Sequence, residues 1–113
     1  MSGITTHVLD ISQGKPAAGV PVILEIEASG GWQTVAEGIT NADGRVSNLL
    51  TANSPIATGV YRLSFDTAKY FDGQNTQGFY PQVTVVFKIE NADQHYHVPL
   101  LLSAFGYSTY RGS

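Results

Sequence analysis

Apolar and polar residues alternate with a spacing of two along much of this chain, and this alternation constrains its fold more than any other feature. One face of the segment from residue 20 to 27 carries Val20, Val22, Leu24 and Ile26, and the other carries Pro21, Ile23, Glu25 and Glu27. Similar alternation recurs at 61–65 and 83–89. Because successive side chains of a strand point to opposite faces, each segment predicts a strand with one face in a core.

Turn signals separate these segments at short intervals. They are Gly14-Lys15-Pro16, Ser29-Gly30-Gly31, Asn41-Ala42-Asp43-Gly44 and Asn53-Ser54-Pro55. Short strands at such spacing predict an all-β fold, an antiparallel β-sandwich. One short helix is predicted to begin at Asp66 or Thr67 and to end at Gly73, which would supply the C-terminal cap.

Composition limits the function classes. The 113 residues fit a single domain spanning 1–113, and a net charge of −3 without a basic run excludes the electrostatic footprint of a nucleic-acid-binding protein. No apolar stretch approaches the roughly 18 residues that cross a bilayer, and the first residues lack an export signal. We expect a soluble protein with no membrane partner, cytoplasmic by default or periplasmic if a leader was removed. The absence of cysteine excludes disulfides and thiolate sites.

Two segments alternate without leaving a polar face. From 95 to 102, one face is the apolar series Tyr96, Val98, Leu100 and Leu102, while Pro99 and Leu101 accompany two histidines on the other. In the first strand, Leu9 and Ile11 likewise share a face with His7. A strand that is apolar on both faces is normally buried on both faces. In a two-sheet sandwich the second sheet covers only one of them, so nothing within the chain covers the other. We therefore expect another subunit to cover the face that carries His7 and His97.

His95 and His97 are two residues apart, so a strand places both rings on one face. With His7 or Asp10 as a third ligand they would form an open metal site, but two histidines at this spacing are weak evidence for one. We predict no metal, and keep a metal site as a minor alternative. Asp10 either orients a neighbouring histidine or ends its strand, and the second role is the commoner. No nucleophile motif surrounds Ser103, Ser108 or Thr109.

Four segments carry a more specific signal. They are Ile4-Thr5-Thr6-His7-Val8-Leu9-Asp10, Asp43-Gly44-Arg45, His95-Tyr96-His97-Val98-Pro99-Leu100-Leu101-Leu102-Ser103 and the C-terminal Tyr110-Arg111-Gly112-Ser113. Together, in this order and at this spacing, they resemble the transthyretin-like 5-hydroxyisourate hydrolases from about residue 4 to the end of the chain. Ala104 departs from that pattern, since members of the family usually carry proline there.

The resemblance implies a transthyretin-like sandwich of two four-stranded sheets, assembled as a homotetramer that is a dimer of dimers with active sites in the channel between dimers. It implies hydrolysis of 5-hydroxyisourate, a urate derivative, to 2-oxo-4-hydroxy-4-carboxy-5-ureidoimidazoline, with no cofactor. The alternative is a hormone-binding module like transthyretin, which uses the same scaffold and channel. A carrier of that kind lacks the histidine–arginine set and the Tyr-Arg-Gly-Ser ending.

The resemblance also assigns roles to residues. His7, Arg45 and His97 correspond to catalytic groups, and the tail residues Tyr110, Arg111, Gly112 and Ser113 correspond to groups that bind the substrate. We assign the general base to His97, although the roles of the two histidines could be reversed. Arg45 would stabilise the oxyanion, because a guanidinium is a fixed cation with forked donors.

Overall fold

The computed structural model describes residues 3–46, 49 and 56–112. Eight strands and one helix follow the order β1 (Gly3–Asp10), β2 (Lys15–Pro16), β3 (Pro21–Ala28), β4 (Gly31–Ile39), β5 (Gly59–Phe65), α1 (Thr67–Gly73), β6 (Val83–Ile89), β7 (His95–Leu102) and β8 (Tyr107–Thr109). The predicted sandwich of two four-stranded sheets with one short helix is confirmed. The turn signal at Asn53-Ser54-Pro55 lies outside the described residues.

The two sheets have the strand orders β2-β1-β7-β8 and β4-β3-β5-β6. Pairing is antiparallel within them except between β1 and β7, which run parallel over their whole length. Alternation predicts strands but not their direction, so the sequence predicted an antiparallel sandwich without singling out this one parallel pair. A parallel pair cannot be closed by a tight turn, and here nearly the whole chain separates its two strands.

The core lies between the sheets and follows the predicted alternation. In β7, Tyr96, Val98, Leu100 and Leu102 are buried, and in β3 the buried residues are Val22 and Leu24. The inner face of β1 is completed by Ile4 and Val8, together with the hydroxyl of Thr6, which donates to the carbonyl of Val98 at 2.7 Å. The central strands are therefore anchored by the faces that point away from the histidines.

Helix α1 begins where the sequence predicts, with Asp66 as its N-cap accepting from the main-chain N–H of Lys69. Its end differs from the prediction. Gly73 is still helical, and the C-cap is Gln74, followed by Asn75 with a φ of 52°. Asparagine tolerates the left-handed region better than most residues, so it makes the turn that glycine was expected to make. No helix within the described residues is long and apolar enough to cross a membrane.

Asp10 ends β1 and joins it to the helix. Its carboxylate is buried and accepts hydrogen bonds from the Tyr70 hydroxyl at 2.6 Å, the Gln13 side chain and the main-chain N–H groups of Ser12 and Gln13. Burial alone raises the pKa of Asp10, but these hydrogen bonds outweigh burial and hold it below its ordinary value. The strand-ending role weighed from the sequence is the one that Asp10 has.

Replacing Asp10 by alanine should lower the free energy of unfolding by about 1–3 kcal/mol, because the buried Tyr70 hydroxyl loses its acceptor. Since the folded pKa lies below the ordinary carboxyl value, the parent protein should hold this stability above about pH 4 and lose it as the pH falls through the folded value. Urea unfolding at several pH values measures both effects. Asp72→Ala, on the exposed side of α1, is the matched control, and an equal loss there would contradict the account.

Candidate active site

The outer face of the β1–β7 pair collects the polar residues that the sequence singled out. In the parallel register Thr5 lies opposite His97, and His7 lies opposite Pro99. His7 and His97 are therefore diagonal neighbours on one face, although 90 positions separate them in the chain. His7 and His97 are half-buried.

Arg45 is brought to this face by the turn before it. The Asn41 side chain accepts from the main-chain N–H groups of Asp43 and Arg45, and Gly44 adopts a φ of 77°. The Gly44 carbonyl accepts from the N–H of Val8 at 2.8 Å, and a Cβ at Gly44 would lie only 2.3 Å from the Val8 carbonyl oxygen. Position 44 therefore requires glycine, because the turn passes too close to the main chain of β1 for a side chain. The next residue, Arg45, forms an antiparallel bridge with His7, which places the two side by side.

Gly112 brings the tail against His97. Its N–H donates to the His97 carbonyl at 2.8 Å, and the two residues form an antiparallel bridge. A Cβ at Gly112 would lie 2.5 Å from Cδ2 of the imidazole, so the main chain of the tail packs directly on the ring. Ser113, which the resemblance includes in the site, lies outside the described residues.

Tyr110 and Arg111 lie elsewhere within the single chain. The Arg111 guanidinium stands 4.5 Å from the centre of the Tyr96 ring and donates to Gln94 at 3.1 Å. With Tyr110, which is 58% exposed, it lines a cavity of about 230 Å³ against β6. The structure therefore joins His7, Arg45, His97 and Gly112, but it does not bring the side chains of Tyr110 and Arg111 to them.

The surroundings of His97 favour its neutral form. Burial is the largest cause of a pKa below the ordinary value, followed by the positive charges of Arg45, His7 and His95. A main-chain hydrogen bond at Thr5 acts in the opposite direction. A histidine with a lowered pKa is unprotonated at neutral pH, which suits a proton acceptor.

Thr5 is a component of the site to which the sequence pattern assigned no role. Its hydroxyl lies 2.8 Å from Nδ1 of His97 and 2.9 Å from Nε2 of His95. The available signal was position, because Thr5 precedes His7 by two residues and so shares its face. That signal becomes specific only when the register with β7 is known.

The metal alternative gains no support from the described part of the chain. Within it, no group of three or more histidine or carboxylate side chains is arranged to hold a metal ion. Asp10, considered as a third ligand, is committed to Tyr70 and Gln13 on the opposite face of β1.

The outer face is only partly covered by the chain itself. Pro99 is buried, whereas Leu9 and Leu101 are half-buried and Ile11 is 56% exposed. The loop at Arg45 and the tail at Gly112 supply some of the cover that was expected from another subunit. The remaining exposed apolar surface lies beside the histidines.

A family model described as HIUase/Transthyretin family matches residues 4–112. The chain belongs to this family. The 5-hydroxyisourate hydrolase of Caulobacter vibrioides is 46% identical over 117 residues, an alignment that covers 100% of each chain.

Two solved structures show how widely the fold is used. The 5-hydroxyisourate hydrolase of Klebsiella pneumoniae superposes with a TM-score of 0.85 and 37% identity, covering 100% of this chain and 94% of that one. Sea bream transthyretin in complex with thyroxine superposes with a TM-score of 0.89 and 36% identity, covering 96% and 93%. Because a hydrolase and a thyroxine-bound transthyretin superpose with similar scores, the fold does not decide between these functions.

Gly112→Ala should displace the tail from the His97 ring, since the added Cβ has no room beside Cδ2. The imidazole signals of His97 in NMR spectra should shift, while stability changes by no more than about 0.5 kcal/mol, as is usual away from the core. Gly106→Ala is the matched control, because a Cβ there meets its nearest atom at 3.8 Å. Unchanged His97 signals in Gly112→Ala would show that the tail does not pack on the ring.

Proposed function

We propose that this protein is a hydrolase that opens the ring of 5-hydroxyisourate by adding water to a ring amide, giving 2-oxo-4-hydroxy-4-carboxy-5-ureidoimidazoline. The observation that carries the proposal is the bridged pair of His7 and Arg45 beside His97 on one sheet face. This set combines a titratable base that can activate water and a permanent cation that can stabilise the oxyanion of amide hydrolysis, with a second imidazole beside them. The full-length similarity to 5-hydroxyisourate hydrolases supports the same substrate.

His97 acts as the general base in this proposal. Its pKa is lowered chiefly by burial and then by Arg45 and the neighbouring imidazoles, so the neutral ring predominates at neutral pH. It takes a proton from water as the water oxygen attacks the ring carbonyl carbon. The lowered pKa assigns this role to His97 rather than to His7.

Arg45 polarises the attacked carbonyl and stabilises the oxyanion that forms on it. Its place is set by main-chain contacts of the preceding turn to β1, so little reorganisation is needed. When the oxyanion collapses, the carbon–nitrogen bond breaks and the ring nitrogen takes the proton held by His97. His7, beside Arg45, orients the water or the substrate.

The tail and the oligomer complete the proposed site. Gly112 lies on His97, so the tail meets the reacting groups at this residue. A homotetramer built as a dimer of dimers would cover the outer face and enclose the substrate in a channel between subunits. A substrate-binding role for Tyr110, Arg111 and Ser113 remains a prediction, and within one chain Arg111 is held by Tyr96 and Gln94.

Hormone binding is the second candidate, because sea bream transthyretin in complex with thyroxine has the same fold. An apolar ligand is best held by an apolar lining with few polar groups. The His7–Arg45–His97 face is instead polar and cationic. These groups favour hydrolysis.

His97→Asn should keep the fold, since Val98 and Leu100 on the opposite face hold β7 in the core. The rate should fall about a hundredfold or more if His97 is the general base. The measurement is the loss of 5-hydroxyisourate absorbance, corrected for spontaneous decay.

Arg45→Lys tests the oxyanion-stabilising group in the same assay. Lysine keeps the positive charge but lacks the forked donors of the guanidinium, so we expect the hydrolysis rate to fall by a factor comparable to that of His97→Asn. Lys69→Arg, on the exposed helix surface, is the control and should leave the hydrolysis rate unchanged. A near-parental rate for His97→Asn would show that His97 is not the base. If the parent protein does not accelerate the decay, the proposed function itself is wrong.

The protein should have a mass of about four chains in solution. Other subunits would cover the partly exposed face around His7 and His97 and pair with the edge strands β6 and β8. Light scattering coupled to size exclusion measures this mass. A stable monomer with full activity would contradict the channel model.

A further inference from the structure

The Thr5 hydroxyl lies between two imidazoles, 2.8 Å from Nδ1 of His97 and 2.9 Å from Nε2 of His95. We propose that Thr5 is a positioning residue that selects the tautomer of His97, holding Nδ1 protonated so that Nε2 is bare and faces the substrate. This proposal rests on the proposed function for its catalytic consequence, but the tautomer can be measured without any substrate.

A hydroxyl has one hydrogen, so it can donate to only one of the two rings. In the first arrangement, the Nδ1–H of His97 donates to the Thr5 oxygen, and the hydroxyl donates to Nε2 of His95. In the second, the Nε2–H of His95 donates to Thr5, and the hydroxyl donates to Nδ1 of His97. Neutral His97 then carries its hydrogen on Nε2 and cannot accept a proton there. Of these two arrangements, only the first leaves Nε2 of His97 free to accept a proton.

The main chain of Thr5 favours the first arrangement. Burial and the charges of Arg45, His7 and His95 lower the pKa of His97, whereas a main-chain hydrogen bond at Thr5 raises it. A hydrogen bond that raises the pKa of a histidine is one to which the ring donates, so this contribution agrees with a ring N–H of His97 directed toward Thr5. The Thr5 hydroxyl oxygen is 2.8 Å from Nδ1 of His97, so it is placed to accept from an Nδ1–H.

The charges around His97 explain why a hydroxyl, rather than a carboxylate, would hold its tautomer. The groups that shift its pKa come from β1, from β7 and from the loop at Arg45, and among the described residues they include the Arg45 cation and two imidazoles but no carboxylate. In many sites a carboxylate holds the histidine tautomer, and it also raises the basicity of the ring. A neutral hydroxyl can hold the tautomer while leaving the pKa of His97 low.

Threonine is well placed for this purpose. Thr5 lies directly opposite His97 in the β1–β7 ladder, with Gly3 opposite His95, so its hydroxyl stands between the two rings. Its branched Cβ restricts χ1, which keeps the oxygen in position. Thr6, the next residue, faces the core and donates to Val98 instead.

The test uses the intact protein with ¹⁵N-labelled histidine, and it compares the parent with Thr5→Val, Thr5→Ser and Thr6→Val. Valine has the shape of threonine without the hydroxyl, and serine restores the hydroxyl. Ring ¹⁵N shifts distinguish a protonated from a bare nitrogen, and His97→Asn assigns the His97 signals. The second readout is the pH profile of kcat/KM for 5-hydroxyisourate.

In the parent protein the substrate-free ring of His97 should have a protonated Nδ1 and a bare Nε2. Thr5→Val should convert part of this population to the other tautomer and lower kcat/KM about 10- to 100-fold, as is typical when the group that orients a histidine is lost. Thr5→Ser should restore the tautomer and most of the rate. Thr6→Val should lower thermal stability while leaving the His97 tautomer unchanged.

A bare Nδ1 in the parent protein would overturn the proposal, whatever the variants do. It would also be overturned if Thr5→Val kept the parental tautomer and rate, or if Thr6→Val shifted the tautomer as much as Thr5→Val. If the parent protein did not hydrolyse the substrate, the proposed function would fail, and the ¹⁵N shifts would still decide the role of Thr5.

Discussion

The parallel pairing of β1 with β7 is the interaction on which the candidate site depends. It joins the two ends of the chain in the middle of one sheet and sets Thr5 opposite His97. A slip of one residue would turn His97 into the core and an apolar residue outward. The register is secured by the buried inner faces of both strands, where residues such as Val8 and Leu100 are inaccessible to solvent. Core packing thus determines the geometry of the opposite face.

Two glycines attach further segments to this pair. Gly44 lets a turn approach β1 closely enough to bond Val8, and Gly112 lets the tail lie on the His97 ring. In both cases a Cβ would meet its neighbour at an impossible distance. Arg45 and the chain end therefore reach the site through main-chain contacts, which are more rigid than contacts between long side chains.

The two faces of the central strands separate opposite charges. Asp10 faces inward, where it accepts from Tyr70, and burial followed by this contact raises the pKa of the Tyr70 hydroxyl. The outer face carries Arg45 and the histidines. Among the described residues no carboxylate shifts the pKa of His97, burial and the charge of Arg45 favour the neutral ring, and we propose that Thr5 sets its orientation. Such a face can accept a proton and stabilise a developing negative charge.

The sequence alone determined the features that depend on local spacing. Alternation identified the core faces of β3, β5, β6 and β7, and the resemblance identified His7, Arg45, His97 and Gly112, which the fold brings together. Tertiary structure alone decided the parallel direction of β1 and β7, the place of Thr5 between two imidazoles and the position of Arg111 over Tyr96. The physical reason is that alternation records which face of a strand is buried, whereas these contacts depend on which strands become neighbours. That choice follows from packing the whole core, and no local segment contains it.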